Sequence, residues 1–168
     1  GGIILNKKYD INTAIYFAVK KCVNQLNSNY NLGIILLTAP ILRSISKKYN
    51  TQNTIKKNLN TQLKSIMNDK TNLILRAIKI AKPGGIEKYK GYGDVMKEIE
   101  NFDLQNIMFK SSKSDRITKA YTTIYKEVFD FGLVFFKNSK KKFSFKFSVQ
   151  RLFIYYMSTD FDSHIMRK

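Results

Sequence analysis

The sequence predicts an all-α protein, a compact multi-helix antiparallel assembly that forms a single helical domain over residues 1–168. Apolar residues recur every three or four positions in most segments, which is the spacing of one helix face. No two neighbouring segments both show the alternation that paired strands require. The composition, 43% hydrophobic and 13% aromatic in 168 residues, is sufficient for a buried core. We expect six or seven helices.

The first long helix begins after Asp10, which together with Asn12 and Thr13 offers side-chain oxygens for an N-cap. Its apolar face consists of Ile11, Ala14, Ile15, Ala18, Val19, Cys22, Val23 and Leu26. The next segment, from Leu32 to about Lys48, opens with an apolar run that fits either a buried strand or a buried helix. Its later spacing favours a buried helix that is kinked near Pro40.

Two more helices follow in the middle of the chain. Residues 51–67 carry apolar side chains on one helical face and Lys, Asn and Gln on the other. Thr71 is predicted to cap a helix from Asn72 to Ala81. That helix ends at Pro83-Gly84-Gly85, because proline cannot continue the hydrogen-bond ladder and glycine frees the backbone.

The last third of the chain is also predicted to be helical, beginning again from Asp94. Asp103 opens a short helix through Phe109, and Asp115 opens a longer one. One face of the longer helix consists of Ile117, Tyr121, Ile124, Tyr125, Val128 and Phe131. Alternating phenylalanines at 143, 145 and 147 are locally typical of a strand, but helical spacing returns from Val149.

The charge and the rare residues exclude several classes of site. One cysteine and one histidine exclude an internal disulfide and a Cys- or His-rich metal site, and the lone cysteine suits a cytoplasmic protein. No apolar run approaches the roughly 18–20 residues of a membrane span, so no membrane partner is expected. The net charge of +18 is compatible with a polyanionic partner, yet lysines scattered along the whole chain indicate solvated helix faces. We therefore consider nucleic acid an unlikely partner and a small phosphorylated ligand compatible with the charge.

Two polar loops have the chemistry of a phosphate or nucleotide site. Asn29, Asn31 and Gly33 stand before the apolar segment, where amide side chains and free backbone N–H groups suit an anionic ligand. An ordinary helix cap explains the same residues. The Pro83-Gly84-Gly85 turn lets the backbone approach phosphate, although it matches neither a Walker loop nor GxGxxG and is also a normal helix end.

Charged side chains supply further candidates. Four carboxylates lie at predicted junctions between loops and helices, where a carboxylate serves as a Mg²⁺ ligand, a general base or simply a helix cap: Asp94, Asp115, Asp160 and Asp162. Arg167 and Lys168 suit a phosphate clamp. The basic run at 140–142 before the phenylalanines has the composition of a single-stranded nucleic-acid site, or of a solvated loop before core aromatics.

Taken in order, these segments resemble the triphosphoribosyl-dephospho-CoA synthase family. The matching segments are Asn29-Tyr30-Asn31-Leu32-Gly33 with Ala39-Pro40, Ala77-Ile78 through Pro83-Gly84-Gly85, Gly93-Asp94-Val95, Asp115-Arg116-Ile117 with Tyr121, and Asp162-Ser163-His164-Ile165 with Arg167-Lys168. Tyr30 replaces the usual threonine, and Phe161 stands where a proline often precedes the aspartate. The family's N-terminal half has no counterpart, so the resemblance implies that the chain is the C-terminal part of a longer family domain.

The resemblance implies a transferase that joins the triphosphoribosyl group of ATP to 3′-dephospho-CoA, releases adenine, and makes a prosthetic-group precursor for an acyl carrier protein. It implies an all-helical fold, with helices at residues 33–39 and at the phenylalanine segment. By analogy, Asp94 and Asp115 are the catalytic residues and Mg²⁺ ligands. The substrate-binding residues implied are Asn29, Asn31, Gly33, Pro83, Gly84, Gly85, Tyr121, Asp162, Arg167 and Lys168. The alternatives are a basic helical nucleic-acid-binding module and a relative that acts on a different phosphorylated acceptor.

Overall fold

The computed structural model describes residues 2–26, 31–45, 51–84, 94 and 103–159. Over these ranges the chain forms nine α-helices and one π-helical segment, without a strand. The helices are α1 (Gly2–Leu5), α2 (Ile11–Leu26), α3 (Leu32–Ser44), α4 (Gln52–Met67), α5 (Leu73–Ala81), α6 (Leu104–Ser111), α7 (Arg116–Thr122), α8 (Leu133–Lys140) and α9 (Phe145–Thr159), and the π-helical segment is Val128–Gly132. The all-α prediction is confirmed, with more helices than expected. None of the helices in these ranges is long and apolar enough to cross a membrane.

The centre of the core lies among α2, α4 and α5, the helices whose apolar spacing is clearest in the sequence. Helix α2 packs against α5 and α3, and α3 packs against α4. These helices contribute Ile15, Val19, Leu59, Leu63, Ile66, Ile74, Leu75 and Ala77, all at most 2% exposed. Burial of each large aliphatic side chain contributes about 1.5–3 kcal/mol, and two of these helices, α2 and α4, pack directly on α3.

Helix boundaries follow side-chain caps, with one difference from expectation. Thr51 and Asp103 accept hydrogen bonds from backbone N–H groups in the first turns of α4 and α6, and Asp103 opens its helix as the sequence predicts. At α5 the cap is Asp69 and not Thr71, since its Oδ2 accepts the N–H of Leu73 at 2.9 Å. The prediction was wrong because Asn72 is left-handed (φ 53°), which brings the earlier carboxylate back to the helix start.

Asp10 caps α2 through three hydrogen bonds. Its Oδ1 accepts the N–H groups of Asn12 and Thr13 at 2.8 and 3.0 Å, and its Oδ2 accepts the Thr13 hydroxyl at 2.6 Å. Partial burial acts to raise the pKa of this carboxyl, but the hydrogen bonds from Thr13 and Asn12 outweigh it, and the pKa is lowered from 3.8. The ionised form is therefore favoured in the folded protein.

We expect Asp10→Ala to lower the free energy of unfolding by about 1 kcal/mol at neutral pH, since an N-cap oxygen is lost. A carboxyl whose pKa is lowered on folding stabilises the protein above its unfolded pKa, 3.8, and ceases to do so as the pH falls through its folded value. Urea unfolding at pH 7 and near pH 3 should therefore show the difference between wild type and variant shrinking in acid. A difference that grows in acid would contradict this account.

The helix predicted to run on from Asp115 is broken in the structure. Helix α7 ends at Thr122, and Ile124 and Tyr125 are both left-handed, with φ of 52° and 54°. The N–H of Tyr125 reaches back five residues to the carbonyl of Ala120 at 2.7 Å. The continuous apolar spacing therefore does not correspond to one straight helix, because the chain turns here and continues through the π-helical segment.

This break places two tyrosine hydroxyls on adjacent carbonyls of α3. Tyr121 donates to the carbonyl of Leu36 at 2.7 Å, and Tyr125 donates to that of Leu37 at 2.9 Å. Pro40 lies inside α3 and has no N–H for the carbonyl four residues before it, which is that of Leu36. Tyr121 therefore supplies the donor that the proline removes.

The same contacts show that, within the compact helical packing that the sequence predicts, α3 and α7 run in the same direction. A Cβ built on Gly33 would lie 3.8 Å from Cδ1 of Ile117, and Leu36 meets Tyr121 further along both helices. Contacts thus advance in the same direction on the two helices. Their N-termini consequently lie at the same end of the pair.

Helices α8 and α9 pack on each other outside the central core. The phenylalanine segment is helical from Phe145, so the helix that the resemblance implied is confirmed over the strand-like alternation. Phe131 of the π-helical segment lies 4.5 Å, between ring centroids, from Tyr155 of α9. The inner face of α9 is therefore aromatic. A Cβ on Gly132 would come within 3.1 Å of the Tyr156 hydroxyl, so the absence of a side chain at 132 makes room for Tyr156.

Candidate active site

Asn31 stands immediately before α3. Its carbonyl accepts the N–H of Ile35 at 2.9 Å, but its side chain makes no capping hydrogen bond. The Nδ2 atom lies 3.8 Å from Sγ of Cys22, which is half-buried on α2. The described residues provide no hydrogen bond to its amide oxygen, and a nucleotide-orienting side chain requires such an acceptor.

Asp115 stands at the corresponding position before α7. Its Oδ1 accepts the N–H of Thr118 at 2.8 Å, so the carboxylate caps the helix. The described residues provide no hydrogen bond to its Oδ2. This half-buried carboxylate therefore has both the capping role and an oxygen left for a ligand.

The parallel packing of α3 on α7 brings these two predicted site segments together. A Cβ built on Gly33 would lie 3.8 Å from Cδ1 of Ile117, and these residues lie two positions beyond Asn31 and Asp115, respectively. Both helix starts therefore lie at one end of the α3–α7 pair, where their amide dipoles add to the positive potential. Sequence spacing alone places these segments more than 80 residues apart.

Asp94 is the other carboxylate predicted to be catalytic. It is 2% exposed and participates in at least one polar interaction. A carboxylate so buried requires such compensation if it is to remain charged. The described residues do not relate its position to that of Asp115, so the choice between the two as base or metal ligand stays open.

Tyr121, predicted to bind substrate, has a structural contact in this fold. Its side chain is 1% exposed and its hydroxyl donates to the carbonyl of Leu36. Burial, reinforced by the neighbouring Tyr125, raises the pKa of this phenol well above its usual value, so it remains a neutral hydrogen-bond donor. A direct contact with substrate stays a prediction.

Pro83 and Gly84 follow the end of α5. Lys82 is left-handed (φ 45°) and its N–H donates to the carbonyl of Ile78 at 3.0 Å, so Lys82 itself caps the helix. Gly84 is exposed, and a Cβ placed on it would meet no atom of the described residues within 4 Å. Within that part of the chain neither packing nor a left-handed backbone requires glycine at 84, which is compatible with a close approach by a ligand.

The remaining predicted substrate-binding residues fall outside the described ranges, and their roles stay predictions. They are Asn29, Gly85, Asp162, Arg167 and Lys168.

A groove along α3 and α7 was not predicted from the sequence. It has a volume of about 660 Å³ and a mostly apolar lining. The apolar part comes from Leu37 and Ile41 of α3, Ala120 of α7 and Val128 of the π-helical segment. We call it the α7 groove. No local sequence motif predicts this groove, because its lining residues come from separate elements. The break in the helix after Thr122 brings those elements together.

One wall of the α7 groove is a cluster of a cation, a carboxylate and a phenol. Arg116 donates to Glu127 Oε1 at 2.8 Å, and its guanidinium carbon lies 5.9 Å from the centre of the Tyr156 ring. Burial and the carboxylate of Glu127 raise the pKa of Tyr156, whereas Arg116 opposes the rise. Arg116, which follows Asp115 in the sequence, is the groove residue closest to the start of α7.

Few protein side chains in the described residues could coordinate Mg²⁺. No group of three or more Cys, His, Asp or Glu side chains gathers in the described part of the chain. Mg²⁺ bound together with a triphosphate commonly uses one or two carboxylates, and the phosphates and water complete its coordination. Asp115 can supply one such carboxylate, because its Oδ2 receives no hydrogen bond from the described residues.

Comparison with known families identifies the chain. The family model CitG, described as ATP:dephospho-CoA triphosphoribosyl transferase, matches residues 4–168. No curated protein and no solved structure gives a match. The match supports transfer from ATP to dephospho-CoA, and it lends no support to the nucleic-acid-binding alternative. The chain therefore belongs to the CitG family of enzymes, which transfer the triphosphoribosyl group of ATP to dephospho-CoA.

Proposed function

We propose that the end of the α3–α7 pair carries the chemistry of this transfer, because Gly33 and Ile117 face each other there, with 3.8 Å between a Cβ built on Gly33 and Cδ1 of Ile117. The 2′-hydroxyl oxygen of dephospho-CoA forms a bond to C1′ of the ATP ribose. The bond between C1′ and the adenine nitrogen breaks, and adenine leaves with its electron pair. The proton lost by the hydroxyl is balanced by the proton that adenine gains. As in glycoside chemistry, positive charge develops on the ribose in the transition state.

The proposed base is Asp115 or Asp94, which accepts the proton of the attacking hydroxyl. The Oδ2 of Asp115, which receives no hydrogen bond from the described residues, supports the first choice. A carboxylate held on one oxygen by a backbone N–H has a defined orientation, which general-base catalysis requires. The burial of Asp94 supports a role for that residue as well.

Nucleotide binding is proposed for the polar segments. Asn29 and Asn31 orient the nucleotide, and the backbone at Pro83-Gly84-Gly85 approaches phosphate. Arg167 and Lys168 pair with phosphates, and Asp162 contributes a polar contact in the same terminal segment. For Tyr121 the hydrogen bond to α3 supports an indirect role, in which it positions Asn31 and Gly33 by holding their helix.

Mg²⁺ is the proposed cofactor, with Asp94 or Asp115 as its protein ligand. When bound with ATP it neutralises phosphate charge and orients the triphosphate. We further propose a cytoplasmic enzyme, which suits one unpaired cysteine. Its product is proposed to become the prosthetic group of an acyl carrier protein, as in citrate lyase and related decarboxylases.

The test is release of free adenine from ATP, measured by liquid chromatography. We expect release only when dephospho-CoA and Mg²⁺ are both present. Chelation by EDTA should lower the rate, and added Mg²⁺ should restore it. Adenine release that is independent of dephospho-CoA, or no release under any of these conditions, would contradict the proposal.

A further inference from the structure

The α7 groove has the size of a small-molecule site. Binding pockets for such ligands are about 300–1,000 Å³ and mostly apolar, with a few polar groups that set the orientation. The groove fits this description, with about 660 Å³ of space and an apolar lining beside the Arg116–Glu127–Tyr156 wall. Side chains of the core do not fill this space, because the helix does not continue through Ile124 and Tyr125, which are both left-handed.

The charges of the groove favour an anion of modest charge. Arg116 and Asp130, which both line it, are engaged in ion pairs, with Glu127 at 2.8 Å and with Lys56 at 3.2 Å, respectively. Lys119 and Lys126 also line the groove, and neither has a carboxylate partner in the described part of the chain. Two lysines next to an apolar surface suit a ligand with an apolar body and one or two phosphates.

Of the two substrates of this family, dephospho-CoA has that chemistry. It carries a diphosphate and a pantetheine arm with a gem-dimethyl group, whereas ATP carries a more highly charged triphosphate and no apolar arm. Accepting the proposed function, we infer that the α7 groove binds the pantetheine arm of dephospho-CoA, with Lys119 and Lys126 on its diphosphate. Arg116, the groove residue closest to the start of α7, is on the side from which the acceptor ribose would extend toward the proposed base.

The test compares two pairs of lysines by isothermal titration with dephospho-CoA and, separately, with ATP. One variant is Lys119→Gln/Lys126→Gln. The matched control is Lys20→Gln/Lys21→Gln, which removes the same charge from exposed lysines of a separate hollow at α2. We expect the groove variant to raise the Kd of dephospho-CoA about tenfold and the control to change it about twofold at most. The Kd of ATP should stay unchanged in both.

A third variant tests the space instead of the charge. Thr38 is exposed on α3, lines the groove and donates its hydroxyl only to the carbonyl of Ile34 in its own helix, so Thr38→Phe fills the groove with little risk to folding. This variant should weaken the binding of dephospho-CoA. The binding of ADP, which lacks the pantetheine arm, should be unaffected. Circular dichroism melting confirms that each variant is folded.

The outcomes separate this inference from the proposed function. Equal effects of the two lysine pairs, or no effect of Thr38→Phe, would overturn the groove assignment even if adenine release proceeds normally. Absence of any dephospho-CoA binding to the wild-type chain would also overturn it. Binding that depends on the groove without any adenine release would uphold the assignment and contradict the proposed chemistry.

Discussion

Asp115→Asn should lower the rate of adenine release about 100-fold or more, because a general base typically contributes 10²–10⁴-fold to a rate. The substitution removes the proton acceptor and a possible Mg²⁺ ligand. It changes the local structure little, since Asn is as good an N-cap as Asp, and the amide oxygen can still accept the Thr118 N–H. A fall in kcat with unchanged melting temperature is therefore expected.

Asp103→Asn is the matched control for this experiment. Asp103 caps α6 as Asp115 caps α7, with its Oδ1 accepting the N–H of Asn106 at 3.1 Å. The two variants lose the same charge at the same kind of position, but only Asp115 lies at the shared end of α3 and α7. Asp103→Asn should keep wild-type turnover. If Asp115→Asn and Asp94→Asn also keep it, the assignment of the base is wrong.

Tyr121→Phe should lower the free energy of unfolding by about 1–3 kcal/mol, the cost of leaving a buried polar group without its partner. The group is the carbonyl of Leu36, which cannot receive a helical hydrogen bond from Pro40. Tyr125→Phe is the matched control. Tyr125 donates to the carbonyl of Leu37, which can also accept the N–H of Ile41 four residues later in the helix. Tyr125→Phe should therefore lower the free energy of unfolding by less than Tyr121→Phe. Urea unfolding measures both.

A double-mutant cycle with Pro40→Ala isolates the cause. Alanine restores an N–H at position 40, which can donate to the Leu36 carbonyl along the helix. Tyr121→Phe should then cost about 1 kcal/mol less in the Pro40→Ala background than in wild type, a coupling typical of residues that share a partner. Independent effects of the two substitutions would show that the tyrosine hydroxyl does not compensate for the proline.

Much of the fold was predictable because local rules govern it. Helices α2, α4 and α6 have clear apolar spacing and capping side chains, and the structure places them where the sequence does. The capping residue of α5 was predicted wrongly as Thr71. Because Asn72 is left-handed, Asp69 caps the helix instead. The break after Thr122 was missed because the apolar spacing continues across Ile124, a β-branched residue that rarely adopts positive φ.

The site was predictable only as separate pieces. The order of motifs pointed to the CitG family, and the family match over residues 4–168 agrees with it. Nothing in the sequence could show that Asn31 and Asp115 share one end of a helix pair, because that depends on the parallel packing of α3 on α7. Residues such as Lys126 and Tyr156 lack any local signal, since they join the groove only through the turn at Tyr125.

By itself, the sequence determined the helical class, the helices of the central core and the family, because hydrophobic periodicity, caps and ordered motifs are properties of the chain. The tertiary structure alone decided which helix starts lie at the same end, where α7 breaks and what space opens along α7. The reason is physical: Pro40 deprives the Leu36 carbonyl of its helical donor, and the hydroxyl of Tyr121, 85 residues away, supplies the replacement. No local pattern encodes a contact over that separation.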